Sequence, residues 1–157
     1  MLLVDTNVWV DAADQDRPHH QACIALLRDR RTDLVTVPMV IAEAGWFIER
    51  RLGPAREVTF LRLVTSPRVK IIDLDPVDWA RVVELVDTYQ TLGLGTVDAS
   101  IIAVAEPPSR QSWPGRPSGR RSVGVMTTVV GGSVSIALAG REGAAPDVLL
   151  TSSMAAG

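Results

Sequence analysis

Along residues 1 to 106, apolar positions alternate between short unbroken runs and stretches of helical period, the pattern of an α/β domain. The runs MLLVD (1–5), DLVTVP (33–38) and VKIIDLD (69–75) predict three strands. Helical patterns cover roughly 20–30, 38–52, 54–65, 76–92 and 96–106. Pro38, Pro54 and Pro76 each stand where a first helical turn accepts proline, and Gly53 is placed to close the second helix.

After Glu106 the alternation stops. Residues 107–157 carry eight of the twelve glycines and five of the ten prolines, but only two of the eighteen acids, Glu142 and Asp147. The stretch PPSRQSWPGRPSGRR has neither period, and SVGVMTTVV and SVSIALA flank Gly131 and Gly132 as a hairpin signal over 122–139. The expected organisation is therefore an incomplete α/β domain over 1–106 followed by an atypical tail over 107–157. Lys70 is the sole lysine among sixteen basic residues, and alanine and valine abound, which points to a GC-rich coding sequence. Such a gene read out of frame yields Gly, Pro, Arg and Ser, so we read the tail as a frameshifted or replaced C-terminus, the alternative being a genuine extension.

Composition narrows the partners. The 157 residues are 46% hydrophobic, enough for one core without staples, and the formal net charge of −2 rules out a global basic footprint for nucleic acid. The single cysteine, Cys23, lies in the amphipathic pattern HHQACIALLRD and reads as a buried, inert thiol in a reducing, cytoplasmic setting. No run approaches the roughly 18 apolar residues of a membrane span, and the N-terminal residues lack the positive n-region and long apolar segment expected of a secretory signal.

Three acids stand out. In GTVDASIIAVAE, read at helical spacing, Asp98 projects from the apolar face between Ile101 and Ile102, where an unpaired carboxylate is costly. Thr96 as N-cap would instead place Asp98 in a first turn, stabilised by the helix dipole and open to water. Asp5 ends the first strand, followed by Thr6 and Asn7, at the edge where parallel sheets hold ligands, or else serves as an ordinary turn aspartate. Asn7 is a candidate to orient its carboxylate. Glu43 falls at the margin of the apolar face of VPMVIAEAGWFIERRLG, a position that simple solvation also explains.

Three converging carboxylates repel one another unless a multivalent cation lies among them, and all-oxygen ligation suits Mg²⁺ or Mn²⁺. No Cys/His cluster favours zinc, and His19 and His20, adjacent before a helix, read as surface residues. A hard ion that holds a phosphodiester and acidifies a water points to phosphodiester hydrolysis. No GxSxG, Walker A or GxGxxG string offers another chemistry, and Asn7 stands where a haloacid-dehalogenase-like phosphatase needs a second aspartate.

LLVDTNVWVDAAD, VPMVIAEAGWFIERRLG and LGLGTVDASIIAVAE, in that order, resemble the PIN-domain ribonucleases, and within them the VapC-type toxins of toxin-antitoxin pairs. The resemblance implies a three-layer α/β/α fold with a parallel sheet, an endoribonuclease dependent on Mg²⁺ or Mn²⁺, a VapB-type antitoxin partner and a homodimer. It assigns Asp5, Glu43 and Asp98 to the acidic site, with Asp5 and Asp98 as direct ligands and Thr6 and Asn7 in support. Arg50, Arg51, Arg56 and Arg62 are candidates for RNA or antitoxin contacts, although plain solvated arginine is the better reading.

The family pattern also implies another strand and a fourth acid after the Asp98 helix, and neither is found. Glu106 lies about 12 Å of helical rise from Asp98, too far to share an ion. SVGVMTT imitates the missing strand but ends in Thr127 and Thr128. The alternative function is accordingly a catalytically impaired PIN protein that acts only by binding its antitoxin. A missing strand beside the first would also leave an open edge near Asp5, with poor solubility or antitoxin dependence as the consequence.

Overall fold

The computed structural model describes residues 2–106. The tail, with the hairpin expected over 122–139, lies outside the described residues. The chain divides into two compact units at Ile72/Asp73.

The first unit is built on a parallel three-stranded sheet, β1 (Leu2–Leu3), β2 (Leu34–Thr36) and β3 (Val69–Ile71), in the order β1-β2-β3. Leu2 pairs with Leu34 and Leu34 with Val69, so the three predicted strands run in register, though each is shorter than its apolar run. Parallel pairing requires crossovers, and the helices supply them. α1 (Thr6–Ala13) and α2 (His20–Arg28) link β1 to β2, while α3 (Pro38–Leu52) and α4 (Pro54–Val64) link β2 to β3. Among the described residues, β1 has a strand neighbour on one side only.

The expected boundaries hold where local chemistry sets them. Pro38 and Pro54 occupy first helical turns, where the missing N–H removes no bond. Gly53, at φ +85°, ends α3 and begins α4 in a conformation that disfavours side chains. The helix α1 was not expected. Its Val8, Trp9 and Val10 favour strands by propensity, yet all three are buried, Trp9 edge-on to Phe60 of α4 at 5.8 Å between ring centroids. Burial of that tryptophan outweighs a few tenths of a kcal/mol of propensity per residue.

In the second unit, α5 (Pro76–Thr88) begins with a reciprocal capping box between Asp75 and Asp78, and Pro76 again sits in the first turn. A 3₁₀ turn (Gln90–Leu92) leads through Gly93 to α6 (Thr96–Ala105). Val82 and Leu85 pack with Ala99, Ile102 and Ala103 to form this unit's core. Arg81 of α5 grips Glu106 with two bonds of 2.8 and 2.9 Å and also meets Glu84, so its guanidinium is held above its ordinary pKa.

Gly45 lies buried inside α3, and a Cβ there would meet Glu57 Oε1 at 3.5 Å and Phe60 Cε1 at 3.8 Å, ordinary contact distances. Gly45→Ala should therefore stabilise the protein by about 0.5–1 kcal/mol through helix propensity, seen as a higher midpoint in chemical denaturation.

Candidate active site

The end of β1 is fixed before the chain reaches Asp5. Val4 N donates to Val35 O at 2.8 Å, and the buried Thr36 hydroxyl donates to Val4 O at 3.3 Å. Asp5 then adopts extended backbone angles as the N-cap of α1, and its Oδ1 accepts from Thr6 N at 2.6 Å. Asp5 is thus at once a strand-end acid and a capping acid, since a carboxylate satisfies the orphan donors of a helix start.

Thr6, only 5% exposed, turns its hydroxyl the other way and donates to Glu43 Oε2 at 2.6 Å. The amide of one residue holds Asp5 while its side chain holds Glu43 of α3. Two of the three acids singled out in the sequence are therefore brought together through Thr6. Glu43 is half-buried, in keeping with its position at the margin of the α3 core face of Val40, Ala44 and Ile48. Asn7 is exposed in the first turn of α1.

Asp98 belongs to the second unit, and of its two readings the first-turn one holds. It is exposed, while residues 99–104 are all buried, and the N-cap of α6 is Gly95 rather than Thr96. The physical reason is that α6 is apolar nearly all round, so depth along its axis, not angular position, decides burial. Asp98 stands in the first turn, with its Cα–Cβ bond tilted back towards the N-terminus. The dipole there favours its charge.

The donors that Asp5 and Glu43 offer are carboxylate oxygens, the kind preferred by a hard divalent ion and poorly suited to zinc. Among the described residues of the first unit, no third His, Cys, Asp or Glu joins Asp5 and Glu43 in a metal-holding group.

Other candidates resolve into structural roles. His20, expected at the surface, is half-buried, with Nδ1 3.0 Å from Asp11 O, and Asp11 also binds Arg17 at 2.7 Å. Arg51 approaches buried Asp14 at 3.5 Å, whereas Arg56 and Arg62 are exposed. Arg50 lies over the Trp46 ring, 5.4 Å from its centroid. The sequence reading passed over Trp46, although a tryptophan one turn after a candidate acid was a visible signal.

The PIN domain family model matches residues 2–107, which include all three motif segments. The chain belongs to the PIN-domain family. Within the PIN-domain proteins, it is similar to Ribonuclease VapC26 of Mycobacterium tuberculosis, 23% identical over 105 residues, covering 67% of this chain and 78% of that protein. It is also similar in fold to the crystal structure of VapC20 of the same organism, described as a sarcin-ricin loop cleaving toxin. The TM-score is 0.62 at 20% identity, covering 66% of this chain and 80% of that one. The resemblance to VapC-type members holds, and the fold is the expected three-layer α/β/α PIN fold with a parallel sheet.

Cys23 is buried, and burial, reinforced by repulsion from Asp11, pushes its thiol from 9.0 up to about 11. The folded chain thus keeps a proton that the unfolded chain loses. Stability from this group is intact below pH 9 and declines as pH rises from 9 towards 11, at up to about 1.4 kcal/mol per unit. Urea melts across that window should show a steeper loss in the parent than in Cys23→Ala; equal slopes would contradict the assignment.

Proposed function

We propose that this PIN-domain chain is a metal-dependent endoribonuclease toxin, cytoplasmic, and neutralised by a cognate VapB-type antitoxin. The observation that carries the reading is the Thr6 bridge, which gathers Asp5 and Glu43 at the carboxyl end of a parallel strand. The ribonuclease name of one relative and the RNA-cleaving description of another support the substrate class. None of the helices among the described residues is long and apolar enough to cross a membrane.

Asp5, Glu43 and Asp98 would hold Mg²⁺ or Mn²⁺, with Asp5 and Asp98 as direct ligands. When bound, such an ion supplies charge for the scissile phosphate and a water acidified towards hydroxide. The chain's own residues set the geometry. Thr6 N donates to the Asp5 carboxylate at the strand end, and Thr6 Oγ1 donates to Glu43 Oε2 without adding charge. Homodimerisation belongs to the same proposal.

Single-stranded RNA incubated with the full chain and Mg²⁺ or Mn²⁺ should be cleaved, and EDTA should stop the reaction. Asp5→Asn should lower the rate at least about a hundredfold, and Thr6→Val about tenfold with the fold retained by circular dichroism. Cleavage undiminished in Asp5→Asn would mark a contaminant. Antitoxin binding without cleavage under either metal would favour the impaired, antitoxin-binding reading.

A further inference from the structure

On α3, Glu43, Trp46, Phe47 and Arg50 follow the spacing i, i+3, i+4 and i+7, so they form one stripe along a single helix face. Glu43 is tied to the acidic site by Thr6. Beyond it the stripe is open: Trp46 is 54% exposed and Phe47 38%. Their rings meet edge to face at 4.9 Å between centroids, and Arg50 covers the Trp46 ring. Among the described residues, no carboxylate forms an ion pair with Arg50.

We propose that Trp46, steadied by Phe47 and Arg50, is a stacking platform for an RNA base next to the scissile phosphate, a subsite that determines how single-stranded RNA is seated. The proposal rests on the nuclease reading above. An exposed tryptophan is costly to hydrate, and single-stranded RNA is bound by stacking its bases on aromatic and guanidinium planes. Arg50 adds the charge that an RNA phosphate complements, and it orients the ring through a cation–π contact. Trp46 lies within about one helical turn, about 5.4 Å of rise, of Glu43, so a strand whose phosphate reaches that acid carries its flanking base to the platform. Continuity with the acid pair and the Arg50 cation, which forms no ion pair among the described residues, favour RNA over an apolar protein surface as the occupant.

The test uses the full chain with Asp5→Asn, so that RNA is not consumed, and a fluorescein-labelled single-stranded RNA of mixed sequence in EDTA buffer. Adding Trp46→Ala should weaken binding about tenfold, and Trp46→Phe should restore most of it. Arg50→Ala should lower the salt dependence of log Kd by about 0.7. Thermal melts check that each variant is folded. In the chain with Asp5 intact, Trp46→Ala should raise KM and leave kcat within about twofold.

RNA affinity unchanged by Trp46→Ala would overturn the proposal, and so would the absence of RNA binding by the Asp5→Asn parent. Loss of a complex with the antitoxin, with RNA affinity untouched, would overturn it in favour of a protein-docking face. Tenfold weaker binding in a chain that never cleaves RNA would sink the nuclease reading and leave the platform standing. Asp5-dependent cleavage indifferent to Trp46 would do the reverse.

Discussion

Thr6 couples the end of β1 to Glu43 of α3, 37 positions further along the chain, and the acidic site of the first unit depends on that coupling. Its amide bonds Asp5 at 2.6 Å and its hydroxyl bonds Glu43 at 2.6 Å, from a side chain that is almost fully buried. Charge-assisted hydrogen bonds of this kind are about twice as strong as neutral ones, and a buried hydroxyl without a partner costs about 1–3 kcal/mol. Threonine therefore stabilises the pair of carboxylates and is itself satisfied by them.

The surrounding scaffold explains why Thr6 stays in place. Val4 is held on β2 by backbone and by Thr36, so the chain leaves the sheet at a defined point. Immediately afterwards Trp9 anchors α1 against α4, and Asp11, Arg17 and His20 tie the α1–α2 connection. A short helix of eight residues has little stability by itself; tertiary burial supplies it. The exposed face of α3 then extends from Glu43 through Trp46 to Arg50, outside the core but rooted in the same helix.

The second unit shows the same division between local and tertiary control. Its α5 starts at a capping box that needs only neighbouring residues, Asp75 and Asp78. Its closure on α6 needs packing and the Arg81–Glu106 pair, which links residues far apart in the chain. Glu106 thus has a structural partner, in line with its exclusion from the acidic site on grounds of helical rise.

Local chemistry determined much of this protein by sequence alone. Proline at three helix starts, Gly53 between two helices and apolar runs for three strands act within a few residues, so they are legible in one dimension. The family motifs around Asp5, Glu43 and Asp98 were equally readable. Tertiary structure decided what local preference could not: that VWV forms a helix, because Trp9 finds Phe60; and which of two readings of Asp98 holds, the one in a first turn open to water, because a helix apolar on nearly every side is buried by depth rather than by face. It also decided that Thr6 joins Asp5 to Glu43, since a hydroxyl's partner 37 positions away is chosen by packing, not by sequence spacing.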